Sequence, residues 1–241
     1  MIVYGHRGAR GEAPENTIAG ARHAVARGAR HLEIDLRLSA DGQLVVVHDA
    51  TLKRTAGVTG KVSASKASDL AKLDARADGP AWPNKRNTGI PSMTALHRAL
   101  PEIKHWQLEL KSLGERDNPA LAAATVDWLR KHKPRAVVTS SEPNLLKAVK
   151  TALPRQALGY VSTTTGPESV LEDCDCDYLI AHWQTLVSRA QVRKLQRRGI
   201  HISAWTVNDA SVIKQLYKLG IDSVITDYPS MALPLVSALS R

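Results

Sequence analysis

Seven side chains are of types that could do chemistry together: His6 and His48, Glu33, Asp35 and Glu109, and Arg7 and Lys111. Glu33 and Asp35 are two residues apart, as are Glu109 and Lys111, and on a β-strand such pairs project to one face. If that face looks into an enclosed interior, three carboxylates converge, at a heavy cost in charge burial unless a cation neutralises them. An all-oxygen ligand set favours a hard divalent ion, Mg2+ or Ca2+, over zinc. The same spacing also suits the opposite orientation, with Leu32, Ile34 and Leu36 in the core and the acids in solvent. An imidazole both takes and gives a proton near neutral pH, so two of them could bracket a reaction centre. Arg7 offers a planar fork suited to phosphate oxygens and Lys111 a point charge. Gly5 and Gly8 flank the His6–Arg7 pair and are small enough to let a ligand approach the backbone. Together these groups answer the needs of phosphodiester hydrolysis: charge neutralisation at phosphorus and proton transfer at the nucleophile and leaving group. No Ser, Cys or Thr of the same segments stands beside a histidine as an activated nucleophile would, so attack by a hydroxyl of the substrate is expected.

The elements that must position these residues follow from periodicity. Apolar runs at 2–5, 31–38, 106–110, 136–139, 157–161, 178–181, 200–206 and 223–226 read as strands, and most are followed by a helical pattern. After the turn at Asp41 and Gly42, residues 44–47 fold back on the second strand as a hairpin. About eight β/α units in 241 residues predict a closed (β/α)8 barrel, a TIM barrel. The open doubly wound sheet is the competitor, and no GxGxxG follows the first strand to support it. In a barrel the chemistry sits at the C-terminal strand ends, where His6, Arg7, His48 and Lys111 fall. His201 begins its strand, at the opposite end. The stretch 51–88, rich in Gly, Ser, Ala and Lys, reads as a small insertion after the second strand, within one domain spanning 1–241.

The formal charge of +10 favours anionic partners but equally suits a solvated basic surface. Aromatic residues make up only 4% of the chain, too few for the stacking platforms of a single-strand binder, so specific nucleic-acid binding is not expected. Cys174 and Cys176 lack the second pair that a zinc site needs. No segment approaches the roughly 18 apolar residues of a membrane span, and a cytoplasmic protein is expected.

The runs HRGARGEAPENT, LEIDLRLSADGQLVVVHDATLKRT, LELK, AWTVND and ITDYP, in this order, resemble the glycerophosphodiester phosphodiesterases over nearly the whole chain, to about Pro229. The resemblance implies a TIM barrel with an insertion after the second strand. It also implies cleavage of glycerophosphodiesters, such as glycerophosphocholine or glycerophosphoethanolamine, to glycerol 3-phosphate and an alcohol. Matched position by position, it implies His6 and His48 as the acid/base pair and Glu33, Asp35 and Glu109 as ligands of a divalent metal. Arg7 and Lys111 match phosphate contacts, Trp205 an aromatic of the substrate pocket, and Glu15 and Asn16 a supporting loop. Ser140 and Ser141 run into Glu142 and Pro143 where relatives commonly carry an aromatic, and the insertion is unusually basic. Both departures bear on the alcohol group rather than on the catalytic set. The small-molecule diester is the expected partner, and no oligomeric state is implied. The rival readings are a lysophospholipase D on the same scaffold, which needs an apolar groove for an acyl chain, and a catalytically inactive anion-binding barrel.

Overall fold

The computed structural model describes residues 1–114 and 117–241. Its strands are β1 (Ile2–His6), β2 (His31–Leu38), β3 (Leu44–Val46), β4 (His105–Leu110), β5 (Ala136–Ser140), β6 (Leu158–Ser162), β7 (Tyr178–His182), β8 (His201–Trp205) and β9 (Ser223–Thr226). All but β3 pair in parallel in the order β1-β9-β8-β7-β6-β5-β4-β2, and pairing of β1 with β2 closes the ring. The fold is a closed eight-stranded (β/α)8 barrel.

Closure decides how strand β2 faces. A parallel sheet wrapped in helices is buried on both sides, so Leu32, Ile34, Leu36 and Leu38 join the core between strands and helices. The intervening Glu33 and Asp35 turn into the barrel and are 3% and 0% exposed. Leu32–Leu36 in the core and acids in the interior are therefore compatible; solvation of the acids is not observed.

The hairpin strand β3 runs antiparallel to β2, with Leu36 opposite Val46. Its period of two splits its side chains between two cores. Leu44 and Val46 belong to the main one, whereas Val45 and Val47 pack with Leu52, Val62, Ala67, Leu70, Ala75 and Ile90 beneath the segment at 51–88. That polar stretch thus has an apolar underside, although its helices are short: Lys53–Ala56 and Ala67–Leu70, with a 3-10 turn at Val62–Ala64.

Between β1 and the first helix, α1 (Ile18–Ala26), local chemistry shapes the PENT loop. Thr17 caps α1 by accepting from the Gly20 amide (3.0 Å) while donating to the Pro14 carbonyl (2.8 Å). Arg7 and Asn16 adopt left-handed backbone conformations (φ 49° and 54°), which cost non-glycine residues about 1–3 kcal/mol and tend to mark functional sites. Gly5 and Gly8, which flank the His6–Arg7 pair, are required by chain packing. A Cβ on Gly5 would lie 2.1 Å from the Gly8 carbonyl oxygen, and one on Gly8, at φ 90°, would press on the Ala21 backbone at 3.0 Å.

Candidate active site

The C-terminal mouth of the barrel collects nine of the ten predicted site residues into one hydrogen-bonded assembly. Glu33, Asp35 and Glu109 each direct an oxygen to a common point, and these atoms lie within 4.8 Å of one another. Burial raises the Glu33 carboxyl well above the usual range, helped by the neighbouring Asp35 and Glu109. Glu109 is likewise raised, chiefly by burial. Burial acts on Asp35 in the same sense, but Lys111 and Arg7 outweigh it and hold that carboxyl low. The Lys111 ammonium is 3.1 Å from Asp35 Oδ1 and hydrogen-bonds Glu109 Oε1, and Arg7 Nε lies 3.1 Å from Asp35 Oδ2. Asn16 Nδ2 donates to Asp35 Oδ2 at 2.8 Å. Glu33 Oε2 accepts from the Arg7 amide (3.1 Å), which the left-handed turn at Arg7 presents to it, while Glu33 Oε1 and Asp35 Oδ1 are buried without a hydrogen bond.

Each candidate acid/base histidine is held from behind by a carboxylate. His6 Nδ1 lies 2.6 Å from Asp227 Oδ1, leaving Nε2 to face Glu33 Oε2 at 3.8 Å. His48 Nδ1 lies 2.7 Å from Asp49 Oδ1. An ionised carboxylate only accepts, so in both rings Nδ1 carries a proton and Nε2 is the nitrogen left free of that contact. Burial holds the His48 ring below its ordinary pKa, with Arg7 and Lys111 adding to the effect against the opposing pull of Asp35 and Asp49. Glu15 bonds Arg7 Nη1 at 3.0 Å; burial would raise its carboxyl, but Arg54 and Arg7 bring it to about 2.

Trp205 stands apart from this assembly. It is half-buried at the end of β8, its indole N–H donates to the Ile180 carbonyl (3.1 Å), and its ring meets His182 edge-on at 5.6 Å. His201 lies at the other end of the barrel, bonded to Ser223 Oγ at 2.9 Å. No Ser, Thr or Cys side chain bonds the rings of His6 or His48 among the described residues.

Among the residues of the assembly that carried no predicted role are Asp227, Asn208, Asp49 and Arg54. Asn208 Nδ2 donates to Asp227 Oδ2 (2.7 Å) and its Oδ1 accepts the Asp227 amide (2.9 Å). Arg54 grips Asp49 and Glu15. Asp227 follows the last residue of β9, so the strand-end rule that selected His6 applies to it equally. Asn208 and Arg54 lie in loop and insertion, where no such rule operates.

A family model described as the glycerophosphoryl diester phosphodiesterase family matches residues 6–231. The chain belongs to this family. Its members among curated proteins include the glycerophosphodiester phosphodiesterase of Caldanaerobacter subterraneus subsp. tengcongensis, 27% identical, with 98% of this chain and 97% of the relative aligned. The lysophospholipase D GDPD1 of Rattus norvegicus is also 27% identical, over 98% of this chain and 86% of that protein. Among solved structures, a phosphodiesterase of Oleispira antarctica in complex with the product sn-glycerol-3-phosphate superposes with a TM-score of 0.88 at 30% identity, covering 98% of this chain and 97% of that one. The family places this chain among the phosphodiester hydrolases, on the barrel its members share. No helix of the described residues is long and apolar enough to cross a membrane.

Proposed function

We propose that the protein hydrolyses glycerophosphodiesters, such as glycerophosphocholine or glycerophosphoethanolamine, to glycerol 3-phosphate and the free alcohol, with the help of a divalent cation. The observation that carries the reading is the convergence of three carboxylates, two buried and Glu109 partly so, beside two histidines whose Nδ1 atoms are held by Asp227 and Asp49. The donor set fits Mg2+ or Ca2+: it is all oxygen, Glu33 Oε1 is buried without a hydrogen bond, and burial with like charge raises two of the three acids. Glu33, Asp35 and Glu109 would hold the ion, and when bound it would offset charge developing on the phosphoryl oxygens.

The chain's own residues do the rest. Arg7 and Lys111 bind the phosphate oxygens, Glu15 and Asn16 keep Arg7 and Asp35 in place, and Trp205 lines the approach for the substrate. One histidine takes the proton of the glycerol 2-hydroxyl as its oxygen bonds to phosphorus. The other, an imidazolium at the outset, gives its Nε2 proton to the departing alcohol as its P–O bond breaks. Water then opens the resulting cyclic phosphate, passing its proton to the second histidine while the first returns its own to the 2-oxygen, so the hydroxyl and both rings regain their starting states. An intramolecular attack of this kind gains from effective concentration.

A lysophospholipase D is among the relatives this chain resembles, which gives the test a second arm. Release of glycerol 3-phosphate from glycerophosphocholine should appear with Mg2+ or Ca2+ and vanish on exhaustive chelation. Undiminished turnover after chelation removes the metal from the reading. Faster cleavage of lysophosphatidylcholine than of glycerophosphocholine replaces the substrate with a lysophospholipid, and inertness toward both leaves the anion-binding barrel.

A further inference from the structure

Arg54 stands on the short helix Lys53–Ala56 of the inserted segment, outside the barrel, and every one of its five N–H bonds is used. Nε donates to Asp49 Oδ2 (2.7 Å) and Nη2 to Asp49 Oδ1 (3.2 Å). Nη2 also donates to Glu15 Oε1 (2.7 Å), and Nη1 to Glu15 Oε2 (2.9 Å) and Asp78 Oδ2 (2.7 Å). Two forked pairs thus meet on one guanidinium, a geometry that an ammonium cannot reproduce.

Beyond each carboxylate lies a different working group. Asp49 Oδ1 holds His48 Nδ1, and Glu15 Oε1 holds Arg7 Nη1. We infer that Arg54 is a positioning residue that orients two groups at once, the imidazole of His48 through Asp49 and the guanidinium of Arg7 through Glu15, and that the inserted segment thereby sets the geometry of proton transfer. The inference rests on the proposed hydrolysis for its kinetic consequences but not for its geometry. The two arms depend on Arg54 unequally. Glu15 is buried and keeps Arg7 and Arg10 as partners if Arg54 is lost. Asp49, whose side chain is 25% exposed, has Arg54 and His48 as its side-chain partners among the described residues and would turn toward water. Its carboxyl, brought down to about 2 chiefly by the Arg54 hydrogen bond, would then leave His48 Nδ1 without a fixed acceptor.

The test compares Arg54→Ala and Arg54→Lys with the wild type by steady-state kinetics and by imidazole 15N spectra of His48. Arg54→Ala is expected to lower kcat by roughly 10^2, the contribution of an oriented acid/base group, and to raise KM by only a few-fold. Arg54→Lys should recover little of the loss. Added methylguanidinium, which fits the partly exposed site, should restore Arg54→Ala by about tenfold or more. The spectrum should change from a single Nδ1–H tautomer to a mixture. Wild-type-like kcat/KM in Arg54→Ala, or a loss with neither rescue nor a change of tautomer, overturns the inference. Should Arg54→Ala fail to fold by circular dichroism, Arg54→Lys and Asp49→Asn carry the same comparison. The spectra need no substrate, so a tautomer change in a protein inert toward diesters would sustain the positioning role while refuting the proposed reaction.

Discussion

Replacing Asp227 by Asn should disable His6 by turning its proton around, and the structure allows the effect to be sized. Asn208 Oδ1 is committed to the Asp227 backbone N–H (2.9 Å) and accepts from Thr226 Oγ1 (3.3 Å), so its amide nitrogen must face residue 227. An asparagine at 227 then has one favourable orientation, oxygen toward Asn208 and NH2 toward His6 Nδ1. In that orientation Nδ1 must accept, so the ring holds its one proton on Nε2 and cannot become the imidazolium that either role in proton transfer requires without setting N–H against N–H. The flipped amide restores the tautomer but sets two NH2 groups against each other, at about 1–3 kcal/mol for a buried unsatisfied donor. Loss of the charged hydrogen bond beside a transient imidazolium adds about 1.5–3 kcal/mol. At 1.36 kcal/mol per decade these give a fall in kcat of roughly 10^2 to 10^4, with KM little changed. The decisive control is the exchange Asp227→Asn with Asn208→Asp. It returns an acceptor to the NH2 of the introduced amide and frees the amide oxygen for His6 Nδ1–H, so turnover of glycerophosphocholine should rise by about tenfold or more over Asp227→Asn alone. Activity of Asp227→Asn within about threefold of the wild type, or an exchange variant as slow as the single one, refutes the tautomer argument.

Three further outcomes are expected. His6→Ala and His48→Ala should each lower kcat by roughly 10^2 or more with unchanged circular dichroism, whereas His201→Ala, at the far end of the barrel, should do much less; equal losses in all three contradict the strand-end assignment. A substrate with propane-1,3-diol in place of glycerol lacks the 2-hydroxyl, and its hydrolysis at a rate comparable to glycerophosphocholine would transfer the nucleophile's role to water. Burial, together with His31 and His201, lowers the His105 pKa to about 4, below the ordinary value of 6.5. The unfolded chain therefore binds the extra proton first, and this contribution to stability is present above pH 6.5 and lost as pH falls toward 4. Calorimetry should show Tm dropping over that window and dropping less in His105→Gln; equal pH dependence in the two proteins removes His105 from the account.

What the sequence made legible depended on how far each interaction reaches along the chain. Glu33 and Asp35 were readable because strand parity is local, and His6, Arg7 and Lys111 because the end of a barrel strand is a place the pattern itself locates. The direction of β2 was not readable, since Leu32 and Ile34 look the same whether the opposite face meets water or a barrel interior; only closure, a property of all eight strands, decides it. The partner of His6 is 221 residues away, and no spacing rule connects β1 to the residue after β9. Arg54 escaped notice for a related reason. In a segment rich in Lys and Arg, one cation that uses all its donors is indistinguishable from neighbours that face solvent. Gly5 and Gly8 carry a further reason that only the folded chain shows: a Cβ there would strike the chain itself. The same contrast explains the barrel floor. Tyr4, His31, His105, Tyr178 and His201 read as unrelated residues of separate strands, yet they lie on the same inward parity that carries the acids. Their rings pack edge-on and tilted, with Tyr178 and His201 centred 4.4 Å apart. One alternation along the strands therefore builds an aromatic plug beneath and a charged mouth above, so the candidate site stands on a floor of packed rings.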